Sequence, residues 1–165
     1  MLFKKFVTGR KEASELLRSE GILWYWVSGG RGQAAIITTR PVEGAWPLPR
    51  EPEQFFEELR LFGELAWREL PNGVIEIAVD PQFMGVWIGK EGRKIRALQE
   101  HLRRPVRIIP GIRVFCSPWI PGQIRHLAFK LFFDRSRGVA IGAVFAPWVW
   151  KQVEPLLPQT CKVQN

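Results

Sequence analysis

Residues 75–109 read IEIAVDPQFMGVWIGKEGRKIRALQEHLRRPVRII. Val74 to Val79 alternates in β-branched residues and predicts a strand, and Pro81 to Ile88 predicts a short apolar helix. Gly89-Lys90-Glu91-Gly92 follows, with glycines three apart. Such glycines let the backbone turn tightly and approach a sugar-phosphate chain with no Cβ in the way. Arg93 to Arg104 predicts an amphipathic helix, with Ile95, Leu98 and Leu102 on its core face and Lys94, Arg96, Arg103 and Arg104 outward or lateral. Val106 to Ile109 predicts a second strand. Because the turn opens directly into a helix, unpaired N–H groups and the positive dipole end face whatever lies there, which favours phosphate. Lys90, Arg93, Lys94 and Arg96 surround that point.

Charge is distributed to match. The chain of 165 residues carries a formal net charge of +8. Residues 51–80 hold eight acids against two bases, and residues 81–113 hold eight bases against two acids. Positive charge is therefore concentrated just after residue 80, where a polyanion would bind.

With these residues in place, the run resembles the KH (K homology) RNA-binding domain, locally in its bacterial ribosomal and NusA-type versions. The pattern small-x-x-Ile-Gly-x-x-Gly-x-x-Ile is met by Gly85, Ile88, Gly89, Gly92 and Ile95. The resemblance covers about 35 residues. It implies an α+β fold, a three-stranded sheet backed by helices. It further implies a non-enzymatic single-stranded RNA-binding protein whose turn, Gly89 to Gly92, clamps the backbone of about four nucleotides. Bases would lie in an adjacent apolar groove formed by Val86, Ile88 and Ile95, with edge contacts from Val106, Arg107 and Ile108. Trp87 either stacks on a base or fills the core. Glu91 departs from the family by placing an acid inside the clamp. Single-stranded DNA is an alternative ligand. A second reading is a protein-interaction module that docks on a ribosome or transcription complex with little RNA affinity of its own. A nucleotide-binding P-loop does not fit, because Glu91, not Ser or Thr, follows Lys90, and three residues rather than four separate Gly85 from Gly89.

Elsewhere, a short helix is predicted over Lys11 to Ser19. A hairpin is predicted over 22–39, around Gly29-Gly30-Arg31-Gly32. Pro41 to Pro52 predicts a proline-rich connector that closes an N-terminal extension over 1–50. Residues 51–72 predict an acidic amphipathic helix, Glu53 to Leu70, ended by Pro71-Asn72-Gly73. The KH domain is then expected over 73–135. Pro110-Gly111 predicts a tight hairpin, and Ile112 to Phe115 followed by a helix over Gln123 to Phe133 slightly favours the type I order of KH elements over type II, which needs two strands after the helix at Glu53 to Leu70. Residues 136–165 predict an extension, Val139 to Phe145 extended and Trp148 to Leu157 helical. The turn at Arg135-Ser136-Arg137, like that at Arg31, is a basic tip.

No enzyme, cofactor or metal site is expected. His101 and His126 are isolated, each expected at the surface or partly packed, and Glu76 with Asp80 predicts a solvated strand edge. Met1 to Lys11 carries four bases with no apolar run behind them, so no secretion signal is expected. Cys116 and Cys161 leave a disulfide open but make no framework, and reduced thiols in the cytoplasm are the expectation.

Overall fold

A computed structural model of the chain describes residues 1–18, 21–27 and 33–164. The fold is α+β, with strands in three sheets. Two units can be distinguished, Met1–Gly63 with Ile88–Val106, and Glu64–Trp87 with Arg107 onward.

The first unit begins with β1 (Phe3–Thr8) and α1 (Gly9–Leu17), followed by the antiparallel pair β2 (Ile22–Val27) and β3 (Gln33–Thr38). β1 pairs with β3 on one edge and with the two-residue β4 (Trp46–Pro47) on the other. The sequence did not announce β1, because Lys4 and Lys5 break its apolar alternation. Lys4 is nevertheless buried, its Nζ 2.9 Å from the Glu58 carboxylate. The β2–β3 pairing is the expected hairpin. Its turn, residues 28–32 with Arg31, lies outside the described residues, as does Ser19 at the end expected for the first helix.

α2 (Pro52–Leu59) starts with Pro52 at a position where no N–H is needed and carries Glu53 in its first turn. It buries Phe55, Phe56 and Leu59, each side chain contributing about 1.5–3 kcal/mol of apolar transfer. The helix was expected to run to Leu70 but stops at Leu59, followed by a 3₁₀ turn over Arg60–Phe62 and Gly63 at φ 130°. Residues 65–69 instead form β5 (Leu65–Glu69), antiparallel to β6 (Ile75–Val79). Pro71-Asn72-Gly73 is thus a hairpin turn, closed by Leu70 N–H donating to Val74 O at 2.8 Å, with Gly73 at φ +88°.

β6 leads into α3 (Met84–Ile88), the glycine turn, α4 (Arg93–Leu102) and β7 (Val106–Pro110). The sheet order is β5-β6-β7. Its third strand therefore comes from upstream of the glycine turn, not from Ile112 to Phe115 as the type I expectation required.

Downstream lie β8 (Ile112–Cys116), α5 (Gly122–Arg125), β9 (Lys130–Asp134), β10 (Ala140–Phe145), α6 (Trp150–Val153) and β11 (Cys161–Val163). Four strands make a separate sheet, β11-β8-β10-β9. Pro110-Gly111 is not a hairpin, since β7 and β8 belong to different sheets. The Gly111 N–H donates to Val79 O at 2.7 Å, and a Cβ there would lie 2.5 Å from Val144 Cγ1. The helix expected over 123–133 is one turn long, and the alternating exposure of residues 130–134 belongs to a strand. Val114, Ile124, Ala143, Phe145 and Val153 form the core here.

Two further expectations are corrected. Cys116 and Cys161 form a disulfide, because β11 sets them directly opposite each other on β8. Glu76 and Asp80 are buried, not on a solvated edge. Glu76 is held by Arg68 at 2.7 Å and Arg107 at 3.3 Å, Asp80 by Arg113 at 2.6 Å and Lys130 at 2.9 Å. Burial pushes the Asp80 carboxyl up, but hydrogen bonds from Lys130, Arg113 and the Gln82 amide outweigh it and hold the group below its ordinary range. Among the described residues, no helix is long and apolar enough to cross a membrane.

Candidate nucleic-acid interface

The turn needs its glycines. Gly89 sits at φ +76° and Gly92 at φ +73°, and Glu91 between them is also left-handed at φ 57°. At Gly89 a Cβ would lie 2.7 Å from Lys94 Cγ and 3.0 Å from its amide nitrogen, so both conformation and space exclude a side chain. The Gly92 N–H closes the turn on Gly89 O at 3.1 Å, and Arg96 Nη1 donates to Glu91 O across it. Gly92 is also the residue before α4, and no side chain caps that helix. Its first amide, the Arg93 N–H, donates to Lys90 O, so the turn and the helix start are joined by backbone alone.

Lys90 and Glu91 are exposed, and Gly89 and Gly92 half-buried. Arg93 and Arg96 also face solvent, with Arg93 Nη2 reaching Ile22 O at 3.5 Å. Lys94 behaves differently. Its Nζ lies 5.6 Å from the centroid of the buried Trp24 ring, and burial followed by repulsion from Arg93 pushes its pKa down. The open charges at the turn are therefore Lys90, Arg93 and Arg96, with Glu91 opposing them. Ile88 and Ile95 are half-buried. In the other unit Val86 is 47% exposed while Trp87 is 3% exposed, which closes the indole to stacking. Val106 and Ile108 are buried, and Arg107 is exposed beside Glu76.

α4 is anchored by a residue that the sequence left as an ordinary histidine. His101 is fully buried. Its Nδ1 accepts from the Leu2 N–H at 3.0 Å, which places the ring proton on Nε2, 2.9 Å from Pro49 O. Phe55 packs beside it, ring centroids 5.1 Å apart. No local signal could have shown this, because its partners lie 52 and 99 residues away.

Burial depresses the His101 pKa below 6.5, partly offset by Pro49. A depressed histidine favours the fold fully above the unfolded pKa and loses that contribution as pH falls below it. Melting temperature should therefore drop on acidification from about pH 6.5 to 5.5. His101→Gln should show a shallower drop over that range, and parallel slopes for the two proteins would refute the assignment.

His126 is exposed, its Nδ1 3.3 Å from Gly122 O. Among the described residues no group of histidine, cysteine and carboxylate side chains is arranged to hold a metal ion. Compared with protein-family models, curated proteins and solved structures, the chain matches none.

Proposed function

We propose that this chain binds single-stranded RNA, gripping the phosphate backbone with residues 89–92 at the start of α4. The observation that carries the reading is a surface turn in which Gly89, Glu91 and Gly92 all take positive φ and lead directly into α4 with no side-chain cap. The turn thus stands at the positive end of the helix dipole, where Lys90, Arg93 and Arg96 add positive charge. Ile88 and Ile95, half-buried at either side of the turn, offer apolar surface to bases. The chain order of helix, two strands, helix, turn, helix and strand supports a module of the type II KH kind over type I.

Contacts with three or four phosphates predict a log–log salt slope of roughly −2 to −3. Fluorescence anisotropy with labelled RNA and DNA oligomers at several salt concentrations measures this directly. A flat salt dependence, or no binding of either oligomer at low salt, would sink the proposal. A docking module with little RNA affinity predicts that second outcome.

A further inference from the structure

We propose that β9 is a self-pairing edge, through which two copies of this chain join their four-stranded sheets into one symmetric sheet. β9 closes the order β11-β8-β10-β9 and pairs only with β10 among the described residues, in register from Lys130 to Asp134 without a bulge. Edge strands are usually blunted by proline, a bulge or a central charge, and the middle of β9 has none. It shows apolar groups instead. Leu131 is 42% and Phe133 77% exposed, and Val139, just before β10, is 80% exposed.

This strip is a continuation of the core. Phe133 lies opposite Ile141 and Leu131 opposite Ala143 on β10. Ala143 is a buried core residue and Ile141 packs against that core, so the sheet's apolar face runs on past the strands that are covered. A second copy added antiparallel to β9 would extend that face across a twofold axis.

The residues of β9 also choose the occupant. In antiparallel pairing centred on Phe132, Lys130 faces Asp134 of the second copy and Leu131 faces its Phe133. Every cross-strand pair is then either apolar or oppositely charged. Moving the register one pair-step at a time soon sets Lys130 against Lys130 or Asp134 against Asp134. Within its own chain Lys130 holds the buried Asp80 at 2.9 Å, and Asp134 accepts from Ser136 N–H at 3.0 Å. A twofold interface requires self-complementarity, and this strand has it.

Analytical ultracentrifugation of the full chain should show a dimer at about 100 µM, where a pair with micromolar Kd is well populated. The double variant Leu131→Lys/Phe133→Lys should sediment as a monomer with an unchanged circular dichroism spectrum. An equimolar mixture of Leu131→Cys and Phe133→Cys chains should form an inter-chain disulfide on mild oxidation, and either chain alone should not. A monomeric parent chain overturns the proposal, as does a dimer that survives the lysine variant. If the parent is monomeric and the lysine variant instead loses RNA affinity, the strip belongs to nucleic acid and the dimer is likewise overturned.

Discussion

Replacing Lys90 and Glu91 together by Asp should lower affinity for single-stranded RNA by about 100-fold or more, and leave the fold intact. Two effects add. The Lys90 ammonium is lost, a charge-assisted contact contributing about 1.5–3 kcal/mol. A carboxylate then stands where phosphate would approach, opposing it further. Together these reach about 3 kcal/mol, which is about 100-fold in Kd. The protein itself should not notice. Both side chains are exposed, and the contact that braces the turn uses the Glu91 carbonyl, which any residue supplies. Position 91 is left-handed at φ 57°, a conformation Asp adopts more readily than Glu. Anisotropy titration gives the affinity and urea unfolding the stability. Unchanged RNA affinity in a folded variant would mean that the turn does not hold the backbone.

The second large effect is on stability. Asp80→Ala should destabilise the protein by roughly 3–5 kcal/mol, the usual outcome when one partner of a buried ion pair is removed. Arg113 donates to both Asp80 oxygens at 2.6 Å and is itself buried, its guanidinium 4.0 Å from the Phe132 ring centroid. Without Asp80 the guanidinium keeps Gln164 Oε1 at 2.7 Å, an uncharged acceptor that cannot neutralise it. By contrast Arg137→Ala, at a side chain about half exposed, should change stability by no more than about 0.5 kcal/mol. Because the folded carboxyl titrates below its ordinary value, Asp80 stabilises the fold above the unfolded pKa, and that contribution fades as pH falls through the folded one. Urea unfolding at neutral pH measures both variants, and equal midpoints would show that the buried pair carries no net stability.

The turn was legible in the sequence because every determinant of it is local. Two glycines, the isoleucines beside them and a following amphipathic run all lie within residues 88–102. Boundaries elsewhere were not legible where one set of apolar residues fits two periods. Leu65, Ala66 and Leu70 continue the helical spacing of Phe55, Phe56 and Leu59, yet Gly63 ends the helix and the first two lie in a strand. β1 was hidden for a different reason: Lys4 reads as a surface residue until Glu58 is brought to it from 54 positions away. Distance along the chain likewise hid His101 from Leu2 and Pro49, and Asp80 from Arg113. Lys94 was placed among the phosphate-facing charges, and only the fold could lay it over Trp24. Pairing of the cysteines depended on a strand of three residues whose register no local pattern announces.

The bond from Cys116 to Cys161 encloses the whole β9–β10 hairpin, including the exposed tip at residues 135–139. A protease that nicks this tip would therefore release nothing. The two fragments would remain one particle, still laced through the sheet, until a reductant cut the tie and let the C-terminal piece leave.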